Sequence, residues 1–478
     1  MAGQSRGGSD ILEQIRAGGR SSVLGIGVVA FAAVSVGVLA GIEPQLAIGA
    51  TLGLAFMLLA FVNLSAALVA FTLLAFLEFA LPTGAAVSAS KGAGLLLAMA
   101  WLARVASNRD ERTFFSAHPG ATYLMLAYLG WGITSLTWTE STSETLVDLS
   151  RYLLNFTLLV LVFTAVRTRR YAMAVFAAWV AGTAVTAAYG LIHSPTGDPA
   201  QAVRLESSVG NANVLATILV AGLVLSVGVA VSSKRSPILR TAAIGTAALA
   251  LFSFVLTGSR SGVIALVVVL FTTVLVAGPR WRGRALLGSV ALMLTAVIFF
   301  AAFAPAEIRD RIAQTVPGQV PDTEGRSTLW EVGWRMVEDH PVRGVGLGSF
   351  QPSSIHYILE PGELTRSDQI VDTPKVAHNI YLQALAEQGV IGLVMFCGIL
   401  VIPIACALRA ARNFARSHDL QMEIMARALV IALAGILAAD FFASEQFNKL
   451  LWLLQGMGPA LLAISQRGRA RGAGAEPA

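Results

Sequence analysis

The sequence predicts an all-α fold, a polytopic bundle of about 12–14 transmembrane helices with one large extracytoplasmic loop that contains short helices. Three observations predict it. First, of 478 residues 55% are hydrophobic and only 13% charged, with a mean hydropathy of +0.70. Soluble domains carry about 25% charged residues, so this chain cannot cover its surface with charge in water. Second, the apolar runs, such as Ser22–Gly41, Ala121–Trp138, Asn213–Val231, Gly262–Gly278 and Gly389–Leu408, have the length of a bilayer crossing. A helix needs roughly 17–25 residues to cross the hydrocarbon core. Third, the runs are continuously apolar and do not alternate, which excludes a barrel. Helix is then the default, because lipid offers backbone amides no partner.

Read in order, spans begin near residues 22, 45, 65, 92, 121, 147, 171, 212, 241, 262, 285, 389, 427 and 449. The second and third are separated only by Val62-Asn63-Leu64-Ser65, the weakest division. The chain divides into a polar cytoplasmic tail (1–20), N-terminal transmembrane helices (21–304), a large extracytoplasmic loop (305–388), C-terminal transmembrane helices (389–466) and a second cytoplasmic tail (467–478). Residues 1–20 read as a tail and not as a cleavable signal.

Basic residues set the orientation. Every second connection from the fourth span on is basic, beginning with Arg104, Arg109 and Arg112 and ending with Arg409, Arg412, Arg416 and Arg427. With both termini inside, 22 of the 34 Lys and Arg fall on one side, as the positive-inside bias requires. The net charge of +6 is therefore a topology signal, and nucleic acid is not an expected partner. Cys397 and Cys406 share one predicted helix, about 13.5 Å apart along its axis, so they cannot pair with each other. No Cys/His spacing suits a metal.

The loop between Pro305 and Gln388 holds seven basic and twelve acidic residues. Long structureless loops are usually functional, and isolated arginines in an acidic loop draw attention. In Gly325-Arg326-Ser327-Thr328-Leu329-Trp330-Glu331, Thr328 and Glu331 fit a capping box. A helix is expected there, burying Leu329, Trp330, Val332, Trp334, Met336 and Val337, with Pro341 as its stop. Arg326 then stands at a helix N-terminus, where free N–H groups and a guanidinium converge on an anion. A loop salt bridge is the other reading.

In Thr257-Gly258-Ser259-Arg260-Ser261-Gly262, a short outer turn holds Arg260 at the membrane surface. It fits a phosphate contact or an arginine snorkelling to lipid headgroups. His378 stands where the loop re-enters the membrane, in Ala377-His378-Asn379-Ile380-Tyr381-Leu382. A histidine in such a place suits general-base work, or it is a capping residue. A second outer loop, His193–Gly210, carries Arg204; Asn211 and Asn213 follow it and open the next span. These two asparagines, like Asn379, fit sugar hydrogen bonds or helix caps, and Arg204 can simply pair with Glu206. Gly344-x-Gly346-x-Gly348, in His340-Pro341-Val342-Arg343-Gly344 and its continuation, lacks the strand–turn–helix context of a nucleotide fingerprint and reads as a packing turn. His340 and His356 read as structural.

In combination, an Arg-bearing turn between two spans, then G-R-x-x-x-W, H-P-x-x-G-x-G-x-G and H-N-x-x-L with E-x-G, in that order, resemble the O-antigen ligase/Wzy polymerase family. The resemblance covers about Arg204 to Gln446. It implies a glycosyltransferase of the bacterial inner membrane that needs neither metal nor cofactor and inverts the anomeric centre. Its donor would be an undecaprenyl-pyrophosphate-linked glycan and its acceptor a hydroxyl of a glycan or lipid. By position, Arg260 and Arg326 would grip the pyrophosphate, His378 would activate the acceptor, and Arg204 would add a contact. These motifs do not separate ligases from polymerases. The alternative is a transporter or flippase of a lipid-linked saccharide, which the helix count also suits. Against it stand the few mid-span charges, Asp440 and Glu78, and the lack of half-to-half symmetry.

Overall fold

A computed structural model describes residue 41 and residues 43–78, 85–108, 113–193, 205, 211–233, 236–279, 281–303, 326–358 and 375–473. Among them the chain is helical throughout, with no strand. In chain order the helices are α1 Pro44–Val62, α2 Leu64–Leu77, α3 Ala85–Ser107, α4 Thr113–Ala117, α5 Pro119–Thr134, α6 Thr142–Ala165, α7 Arg169–Ile192, α8 Ala212–Ser232, α9 Pro237–Thr257, α10 Arg260–Val276, α11 Arg282–Phe303, α12 Arg326–Asp339, α13 Phe350–Ile358, α14 Ile380–Arg416, α15 Leu420–Ala439 and α16 Lys449–Ala473. Seven are long and apolar enough to cross a membrane, among them α6, α7, α8 and α14. The chain is a multi-pass membrane protein.

Every expected span except the first has a helix; the span near residue 22 lies outside the described residues. The doubtful division at Asn63 is real. Its side chain accepts the Ala66 N–H at 3.1 Å and so starts α2 as α1 ends. Short polar caps do the same for α6 (Ser141), α7 (Thr168), α9 (Ser236) and α15 (Asp419), meeting amides the helix leaves orphaned.

The basic connections gather at one end of the bundle. There Arg104 donates to the carbonyls of Phe61 and Val62, Arg169 pairs with Asp419 at 3.0 Å, Arg427 donates to Val276, and Arg467 donates to Arg167. The helix starts and ends carrying the candidate residues lie at the other end. Helix α8 is the most enclosed span, with 83% of its apolar window buried, whereas α11 has 6% and stands at the periphery. Small residues let the helices approach: Gly222 lies against Thr183, and Gly458 against Pro403.

Two expectations need correction. A helical stretch from Ile380, expected as part of the loop, precedes the span expected from 389, and Gly389 (φ 66°, ψ −170°) is the kink between the two. Helix α12 begins at Arg326, so Thr328 lies inside the first turn and not ahead of it. Its buried face also excludes Trp334, which is 51% exposed, whereas Leu329, Val332, Met336 and Val337 are buried. The last four join Val345, Phe350, Tyr357, Ala377 and Ala386 in a small core of their own. This core packs α12 and α13 onto the start of α14.

Candidate functional site

The glycine turn and Gly389 are one device. At Gly389 the helix breaks, and nearby carbonyls need other donors. Val345 N–H donates to Ala386 (2.9 Å), Gly346 N–H to Glu387 (2.8 Å), and Trp131 Nε1 to Gln388 (3.0 Å). Gly344 has φ 68°, and a Cβ there would collide with the backbone of Glu387 and Gln388. A Cβ on Gly389 would collide with Val342. Glycine is required at both for conformation and for space. The motif is thus a packing turn, as its sequence context indicates. It fixes the loop on the membrane helix that His378 precedes.

Glu387 completes this joint. Its carboxylate accepts from Gly348 N–H at 3.0 Å, Phe350 N–H at 3.4 Å and Gln383 Nε2 at 3.1 Å. Phe350 opens α13, so the carboxyl group meets a helix N-terminus and accepts an amide that the helix leaves orphaned. Glu387 faces the turn, and its three partners give it a structural place. His356 also has one, an exposed pair with Glu140 at 2.8 Å.

Arg260 is the first residue of α10. Gly258 (φ 56°) turns the chain out of α9, and Ser259 Oγ accepts the Gly262 N–H at 3.2 Å. Ser259 Oγ also lies 2.8 Å from Asn213 Oδ1, to which it donates. The Arg260 turn is thereby tied to the start of α8. Asn211 caps that helix, accepting from Asn213 N–H (3.0 Å) and Val214 N–H (3.3 Å). Arg204 lies outside the described residues; its neighbour Leu205 donates to Leu256 of α9 at 3.0 Å.

Arg326 occupies the first turn of α12 and is partly exposed. One turn on, Trp330 Nε1 donates to the carbonyl of Ala377 at 3.0 Å. The residue after Ala377 is His378. Its φ is 50°, a left-handed backbone that histidine adopts seldom. Asn379 is buried and caps α14, accepting from Tyr381 N–H (3.0 Å) and Leu382 N–H (3.1 Å). The capping reading therefore holds for Asn211 and Asn379, whose side-chain oxygens are committed to backbone amides.

A short turn at Asp440–Phe442 draws the three candidate segments together. The Trp330 ring packs on Phe441 and Phe442 with centroids 5.8 and 5.9 Å away, and Tyr381 lies 6.1 Å from Phe441. Tyr381 also donates to the carbonyl of Leu437 at 2.9 Å. Helix α10, which begins at Arg260, touches the same turn. Three helices, whose starts carry Arg260, Arg326 and the His378–Asn379 pair, therefore meet one aromatic turn.

Sequence reasoning did not anticipate this turn. Asp440 stood out only as a mid-span charge. It is fully buried, and neither carboxyl oxygen has a hydrogen-bond partner among the described residues. With Glu445, Asn448 and Trp179 it lines a cavity of about 20 Å³. In the connection after the turn, burial pushes the Glu445 carboxyl up to about 7, against the pull of the Asn448 amide that donates to it at 3.1 Å. The aromatic run Phe441-Phe442 was the available signal.

Comparison with curated proteins gives no match to the chain. Comparison with family models does: residues 245–397 match the family described as O-antigen ligase. The matched stretch runs from α9 into α14 and contains Arg260, Arg326 and His378. This segment of the multi-pass chain is therefore similar to the O-antigen ligase family.

Proposed function

We propose that the protein transfers a glycan from an undecaprenyl-pyrophosphate donor to an acceptor hydroxyl at the outer face of the bacterial inner membrane, with both termini in the cytoplasm. Two observations support this together: the O-antigen ligase match and the meeting of the three helices at the Asp440–Phe442 turn. Arg260 and Arg326 both lie in a helix's first turn. There the positive end of the helix dipole and a guanidinium favour the same anion. A lipid pyrophosphate is the leaving group of this reaction, so such donors stabilise the charge that develops. His378, at the head of α14, takes the proton of the acceptor hydroxyl as it attacks. A single in-line displacement inverts the anomeric carbon and uses no metal.

Incubation of the purified full-length chain with a synthetic lipid-pyrophosphate glycan and an acceptor tests the reading. Release of undecaprenyl pyrophosphate that depends on acceptor is the expected result. Leaflet exchange of the intact lipid-linked glycan without release would favour a flippase.

A further inference from the structure

A second groove is lined by no residue of the O-antigen ligase match, although Asp148 behind it touches Gly348 of that segment. This groove of about 360 Å³ lies between α3 and α6 and reaches Phe447 and Lys449. Leu95, Leu154, Leu158 and Leu161 form its apolar wall. Leu95 is 52% exposed and Leu154 49%, so the groove opens on the apolar outer surface of the bundle. None of Arg260, Arg326 and His378 lines it.

Three cations line this apolar groove: Lys91, Arg151 and Lys449. Among the described residues no carboxylate does. Two acids stand behind the cations. Asp148 pairs with Arg151 at 2.9 Å, and Glu78 pairs with Lys449 at 2.5 Å. In each pair the acid is the more enclosed partner, 7% against 52% and 11% against 23% side-chain exposure. The carboxylates hold Arg151 and Lys449 from within, and these two line the groove together with Lys91. Arg151 extends over the Phe447 ring at 5.3 Å, and Lys449 Nζ donates to Ser90 Oγ at 2.7 Å. Arg151 is ten residues into α6, about 13.5 Å from its start. Charges at such depth are costly and mark sites.

We propose that this groove binds an anionic, phosphate-bearing membrane lipid, with the headgroup at Lys91, Arg151 and Lys449 and a chain along the leucine wall. The cations supply charge-assisted hydrogen bonds to phosphate, and the wall takes the hydrocarbon. The site is separate from the Arg260–Arg326–His378 region, and the proposal does not depend on the glycan-transfer reading.

The test uses the full-length protein in detergent and phosphatidylglycerol with a photoreactive acyl chain. Labelling should map to 94–98 and 154–161, and exceed that from the matching phosphatidylcholine about tenfold. Lys91→Glu should lower it about tenfold, the effect of reversing one charge contact of roughly 1.4 kcal/mol. Leu154→Trp, which fills the groove from a half-exposed position, should lower labelling without altering the cations. Equal labelling by the two lipids, labels confined to other segments, or full labelling in both variants would overturn the proposal. So would displacement by millimolar inorganic phosphate, which would mark a free-anion site instead.

Discussion

Glu387 Oε2 accepts the backbone N–H of Gly348 at 3.0 Å, joining the glycine turn to the helix that follows His378. The bond explains why E-x-G follows H-N-x-x-L in this chain. Glu387 satisfies the turn, and two residues later Gly389 opens the helix that the turn also clasps.

Glu387→Gln leaves one acceptor oxygen where the carboxylate has two. Either Gly348 or Phe350 N–H then loses its partner. A buried amide left unpaired costs about 1–3 kcal/mol. The melting temperature of the purified protein should fall accordingly, while the turnover of the folded fraction stays close to wild type. Loss of turnover at unchanged stability would assign Glu387 to the chemistry.

Gly344→Ala should be far more damaging. The left-handed backbone alone costs an alanine about 1–2 kcal/mol, and the new Cβ meets the backbone of α14. Thermal unfolding in detergent should show a loss above about 2 kcal/mol. Gly245→Ala is the internal control. That glycine lies inside α9 with open space at its Cβ position, so alanine should be neutral or stabilise by up to about 1 kcal/mol.

Arg326→Lys tests the phosphate clamp. A lysine keeps the charge but cannot make the planar two-point contact. A hydrogen bond to a charged group is worth about 1.5–3 kcal/mol, so turnover should fall roughly 10–100-fold. Release of the lipid pyrophosphate in a single-turnover assay reads it out. Wild-type turnover would remove Arg326 from the clamp.

Glu445 gives the protein a pH dependence with a defined sign. In the folded chain its carboxyl keeps its proton up to about 7, whereas an unfolded glutamate releases it near about 4.3. Between these values the folded state binds more protons, so stability falls as pH rises. It is fully present below the lower value and lost through the upper one. Glu445→Gln should flatten the melting temperature across pH 5–7. An unchanged slope would show that other groups set it.

Much of the fold is legible in the sequence, because lipid leaves the backbone no alternative to helix and the basic residues mark one end of the bundle. Even the one-residue break at Asn63 follows from its capping chemistry. The candidate site is legible in part. Arg260, Arg326 and His378 stand out as single residues, because polar groups at apolar boundaries have few structural duties. The turn their helices share, Asp440–Phe442, is far away in the chain, and its aromatic run does not say which segments it meets. Asn211 and Asn379 show the converse: an asparagine at a helix start looks the same whether it caps the helix or binds a sugar. Only the hydrogen bonds to Val214 and Leu382 decide between them.

The central claim rests most directly on His378. The measurement is acceptor-dependent release of undecaprenyl pyrophosphate from a synthetic lipid-linked glycan, comparing wild type with His378→Ala and with His378→Asn. Asparagine tolerates the left-handed backbone at this position but offers no base. Proton transfer to a positioned base contributes typically 10²–10⁴-fold. Both variants should therefore fold, retain donor binding and lose at least about 100-fold in release. Release equal to wild type from either folded variant would contradict the assignment of His378 as the base.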